Sequence, residues 1–74
     1  MFVADAFSSD GKKYAVCSGP GINKNMQIKR IKVAGSEYNV KESRFFESFI
    51  GIMQVSLEVE GPLPIPMGEV SILN

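Results

Sequence analysis

The chain has 74 residues, with eight Lys and Arg, eight Asp and Glu, no His and a single Cys, and its net charge is zero. One cysteine cannot form an internal disulfide, and without histidine the usual zinc sets, His-based triads and imidazole bases are excluded. A chain of this size buries only roughly 60% of its unfolded surface, so its core must suffice alone or with help from a partner.

The start, Met1-Phe-Val-Ala-Asp5, has no basic leader region, and no apolar run approaches the roughly 18 residues of a membrane span. With the lone cysteine this predicts a cytoplasmic protein that does not enter a membrane. Phe2–Phe7 is read as a first strand, with Phe2, Ala4 and Ala6 on one side and Val3 and Phe7 straddling the pattern. Ser8–Gly11 is a turn, because Asp10-Gly11 tolerates the positive φ of a tight hairpin. Lys12–Ser18 returns as a second strand, with Tyr14, Val16 and Ser18 set against Lys13, Ala15 and Cys17, and Gly19-Pro-Gly21 ends it.

Ile22–Asn25 reads as an irregular connection. Met26–Val33 reads as a third strand with a phase break: Met26 and Ile28 share one parity, Ile31 and Val33 the other. A bulge at Lys29-Arg30 would put all four on one face. Ala34–Ser36 is a turn, followed by a fourth strand over Glu37–Lys41 with Tyr38 and Val40 inward. Residues 42–49 are ambiguous. Phe45, Phe46 and Phe49 match a turn of helix, and a strand end followed by a loop tucked into the core fits equally well.

The segment Met53–Glu60 carries the clearest pattern. Met53, Val55, Leu57 and Val59 alternate with Gln54, Ser56, Glu58 and Glu60, the signature of a half-buried strand. Pro62-Leu-Pro-Ile-Pro66 must be extended and cannot sit in mid-sheet. Glu69–Leu73 is a short last strand. Together these elements predict one all-β domain over residues 1–74, a small antiparallel β-barrel of five to seven short strands.

The charges are unevenly placed. Residues 1–44 hold all eight cations and four acids, a balance of +4, whereas residues 45–74 hold four acids and no cation, a balance of −4. Either the halves neutralise each other across adjacent strands, or the chain keeps a basic face for an anionic partner. Lys24, Lys29, Arg30 and Lys32 are the densest basic group. With Tyr14 or Tyr38 beside them they would form a surface that tracks a nucleic-acid backbone and stacks bases; otherwise they are a solvated strand face. Pro62, Leu63, Pro64, Ile65 and Pro66 either dock in a partner's groove or cover one end of the barrel with Met67.

No catalytic constellation emerges. Gly19-Pro-Gly21 lacks the spacing and following helix of a phosphate-binding loop. Cys17 would need a base or a helix N-terminus beside it to be a nucleophile. Glu58 and Glu60 share a strand face, an arrangement that suits paired carboxylates but is far more commonly a solvated surface. The expectation is a non-catalytic binding module without cofactor or metal. Its partner would be RNA or a ribonucleoprotein, or alternatively another protein.

The order of features resembles the β-barrel second domain of the translational GTPases, the elongation factor Tu class. The resemblance runs through Phe2–Phe7 with Gly11, Ala15–Gly19, Ile22–Ile28, Ile31–Gly35, Val40–Phe45, Gly51–Gly61 and Met67–Val70. It departs from that pattern at Asn25, where the family usually has Gly, and in the Pro62–Pro66 insert. A phosphate loop is also missing. In the resembled family the barrel packs on the GTPase domain and helps hold the aminoacylated end of tRNA. None of the family's RNA-contacting side chains matches a position here, so the resemblance implies a fold and an association with translation, but no site residue.

Overall fold

A computed structural model describes all residues, Met1–Asn74. It contains six strands and no helix: β1 (Phe2–Ser9), β2 (Lys12–Ser18), β3 (Arg30–Val33), β4 (Ser36–Glu47), β5 (Met53–Glu60) and β6 (Val70–Ile72). They form one sheet in the order β1-β2-β5-β4-β3-β6, and every pair is antiparallel. The all-β expectation holds. The barrel is looser than expected, because the sheet curls without closing. Its two end strands meet only near the start of β1. There Phe2 bridges Glu69, the Val3 N–H donates to the Gly68 carbonyl at 2.8 Å, and the Val70 N–H donates to the Met1 carbonyl at 2.9 Å.

The turns follow from their residues. Asp10 and Gly11 take φ of 52° and 76°, and Ala34 and Gly35 take 48° and 83°. Two successive positive φ values match the right-handed twist of the flanking strands in a two-residue hairpin. β5 lies mid-sheet between β2 and β4, and Val55, Leu57 and Val59 on its inner face are almost fully buried. Against them pack Val3, Ala15, Cys17, Ile22, Ile28, Ile31, Val33 and Tyr38. This decides the face of β2: Ala15 and Cys17 point inward.

Four expectations need correction. β1 has a bulge between Val3 and Asp5, so Phe2, which is 46% exposed, and Ala6, which pairs with the inward Ala15, do not share a side, and Val3 is buried. β3 has no bulge at Lys29-Arg30. The strand begins only at Arg30, and the chain bends at Lys29. The parity switch itself is real, since Ile28 and Ile31 are both buried. At the bend the Asn74 Oδ1 accepts from the Lys29 N–H at 2.7 Å, its Nδ2 donates to the Gln27 carbonyl at 2.6 Å, and the Lys29 carbonyl accepts from the Val40 N–H at 2.9 Å.

A bulge that the sequence did not signal lies in β4, between Val40 and Glu42. Lys41 is the extra residue, so Tyr38 and Val40 face inward before it and Ser43 and Phe45 after it. β4 therefore runs on to Glu47, and residues 42–49 form neither a helical turn nor a loop tucked into the core. The hairpin tip is turned outward, with Phe49 fully exposed and Ile50 66% exposed. Finally, Gly61–Pro64 bends rather than extending. Gly61 lies so close to Tyr38 that a Cβ there would meet the ring at 2.6 Å and the Glu37 carbonyl at 2.8 Å. The Tyr38 hydroxyl donates to the Pro62 carbonyl at 2.7 Å. This close crossing turns the chain back toward the start of β1.

Candidate functional site

The seam that β6 leaves open runs along the second half of β1. One edge of β1 is paired with β2 throughout. The other edge is covered near Val3 by Gly68–Val70 and has no strand partner over Ala6–Ser9. The Ala6 N–H finds its acceptor in the side chain of the preceding residue, Asp5 Oδ1, at 2.9 Å. A carboxylate folded onto its own strand in this way satisfies an edge donor that would otherwise be free.

Facing this edge is the return segment that follows Gly61. Between them lies a cleft of about 610 Å³, with Asp5, Ala6, Phe7, Ser8 and Lys13 on one wall and Leu63, Pro64, Ile65 and Met67 on the other. Ile65 packs partly against the core, but Leu63 and Met67 are 57% and 59% exposed. The expectation that all three cover the barrel end holds only for Ile65. Phe7 stacks on Tyr14 with ring centroids 5.1 Å apart and is 45% exposed. The cleft is therefore mostly apolar, with one carboxylate, one ammonium and a row of backbone groups.

The basic residues do not converge. Arg30 and Lys32 project from the same outward face of β3. Arg30 reaches Glu37 at 3.9 Å, and Lys32 lies directly opposite Glu37. Lys29 precedes them at the bend. Lys24 lines a separate depression with Phe46 and Glu47. Arg30 pairs with Asn39 near the start of β4, whereas Lys24 sits beside residues at its far end. Neither tyrosine joins them. Tyr38 is buried with its hydroxyl engaged, and Tyr14 lies on β2 under Phe7.

The two charge halves meet at one ion pair, Lys41–Glu60 at 3.5 Å, while Arg44 reaches Glu42 at 3.4 Å within the basic half. Glu58 faces Tyr14 on one side and Glu42 on the other.

Cys17 is fully buried. Loss of solvation pushes its thiol up to about 11, with the N-terminal ammonium pulling weakly the other way. No three His, Cys, Asp or Glu side chains cluster as metal ligands. There is no helix long and apolar enough to cross a membrane. Sequence reasoning named the Pro62–Pro66 wall but missed the opposite one. Its only signal there was Phe7, an aromatic out of phase with its strand. No protein-family model, curated protein or solved structure matches the chain.

Proposed function

We propose that this domain is a non-catalytic protein-binding module whose docking site is the cleft between β1 and the Pro62–Met67 segment. The observation that carries this reading is the exposure of Phe7, Leu63 and Met67 around one concave site. Apolar side chains gathered at a concavity with a few polar groups are the usual form of a binding site. The buried, protonated Cys17 supports a binding role over nucleophilic catalysis.

An RNA surface at Lys24, Lys29, Arg30 and Lys32 is the competing reading, and the same experiment weighs both. The labelled protein is titrated with short peptides selected from a random displayed library and, separately, with single-stranded RNA at low salt. NMR shifts at Asp5–Ser8 and Leu63–Met67 on peptide addition are the expected result. RNA-induced shifts at Lys29–Lys32 that fade steeply with salt, with the cleft silent toward every peptide, would overturn the proposal.

A further inference from the structure

We infer that the partner enters this cleft as an extended strand, antiparallel to β1, with an acidic residue followed three positions later by a basic one. The inference rests on the protein-binding reading and adds the conformation, direction and charge order of the partner. The conformation follows from the edge. Over Ala6–Ser8 the outer side of β1 turns alternate backbone groups, those of Ala6 and Ser8, to the cleft with no strand against them. Groups at strand spacing are met in full only by another strand, the mode known as strand addition. The opposite wall, Leu63 and Met67, makes the opening a slot between two chain segments. A slot admits a single extended segment and excludes the edge of a second folded copy, which brings its own sheet behind it.

The direction follows from the sheet, in which every pair is antiparallel, the Phe2–Glu69 bridge across the same edge included. A strand entering beside Ala6–Ser8 continues the line that Gly68–Val70 begins beside Val3.

The charge order follows from Asp5 and Lys13. Both line the cleft, and Lys13 lies opposite Ser8 in the β1–β2 register. Asp5 and Ser8 are three residues apart, about 10 Å along a strand. An antiparallel entrant passes Ser8 first and Asp5 later. Its acidic residue thus meets Lys13, and its basic residue meets Asp5 three positions on. The entering carbonyl takes over the Ala6 N–H, and the Asp5 carboxylate, released from that bond, turns to the partner's cation. Asp5 thereby guards the edge when the cleft is empty and selects the partner when it fills.

The test uses the full chain and three short synthetic peptides rich in Val and Thr. The first has the acid–x–x–base order, the second the reverse, and the third repeats the first with N-methyl groups on the amides that would face β1. The first is expected to bind about two- to five-fold tighter than the second, the range of an exposed ion pair. The double variant Asp5→Lys with Lys13→Glu should invert that preference. N-methylation should weaken binding about tenfold, since each blocked amide leaves an edge carbonyl without its donor.

Equal binding of the two charge orders overturns the assigned polarity. Equal binding of the N-methylated peptide, with NMR shifts still at Leu63 and Met67, overturns strand addition but leaves protein binding standing. No shift in the cleft with any peptide overturns both. Sedimentation showing a dimer whose interface protects Ala6 and Ser8 from hydrogen exchange would make the occupant a second copy and overturn the inference.

Discussion

The middle of the sheet and its seam are built on opposite plans. β2 and β5 pair without a register break over Lys13–Ser18, and each inward residue of that pair from Ala15 to Cys17 and Val55 to Leu57 is sealed from solvent. The seam has a bulge in β1, a bend after Gly61, a carboxylate folded onto its own backbone, and large apolar side chains left in water. Regular pairing concentrates burial and hence stability. A seam that stops halfway leaves unpaired backbone beside apolar surface, which is where a partner gains most. On the proposed function, stability and binding are divided between these two regions. That division predicts that changes in the middle alter folding, whereas changes at the seam alter docking.

The largest effect is expected at Leu57, which is fully buried on the central strand. Leu57→Ala removes buried methyl groups and leaves a cavity that surrounding strands cannot close, so it should cost roughly 2–5 kcal/mol. Against a total of about 5–15 kcal/mol for ordinary domains, that is a large share. Denaturant melts measure it. A loss below about 0.5 kcal/mol, typical of a surface site, would break the comparison at its strong end.

The next effect tests the same region through pH. Burial raises the Cys17 thiol from 9.0 to about 11. The unfolded chain therefore loses this proton first as pH rises. Stability from this group is complete below pH 9.0, declines between 9.0 and about 11, and levels off above. The total decline attributable to Cys17 is about 2–3 kcal/mol. The thiol is isolated as the difference between the wild-type and Cys17→Ala pH profiles. Parallel profiles would mean the thiol is open to solvent and the middle is less sealed than described.

How much of this was legible in the sequence also divides along the same line. The alternation of Val55, Leu57 and Val59 states its own face, because period two needs no knowledge of neighbours. Asp10-Gly11 likewise carries its conformation locally. The bulges were not legible in the same way. The parity break between Ile28 and Ile31 was visible, but the bend that resolves it is bonded to Asn74, 45 positions from Lys29, and to β4. Lys41 as an extra residue depends on how β4 aligns with β5, and Phe45, Phe46 and Phe49 mimic a helical spacing that the strand overrides.

The cleft was half legible. Prolines marked Leu63 and Ile65 as unusual, but nothing local joins them to Asp5 and Phe7. That neighbourhood arises only when the sheet curls and the chain crosses back over Tyr38. The cations Lys24 and Lys32, close in sequence, lie toward opposite ends of β4, Lys24 beside Glu47 and Lys32 opposite Glu37.

The smallest effect on folding should come with a large effect on docking, and it is the sharpest form of the comparison. Leu63 and Met67 are more than half exposed, so replacing both by Ser removes little apolar surface that folding buries. The expected change in stability is within about 0.5 kcal/mol, the range for surface positions. Ile65 supplies the internal contrast, because it packs against the core, and Ile65→Ser should destabilise the domain more than the double variant does. In a titration with peptides that bind the wild-type cleft, the double variant should lose about tenfold or more in affinity, since apolar anchors at a cleft dominate binding there. A melt in which Leu63→Ser with Met67→Ser falls as far as Leu57→Ala would place the whole return segment in the folding core. The same double variant binding those peptides as tightly as the wild type would leave the seam as an unfinished edge with no role in recognition.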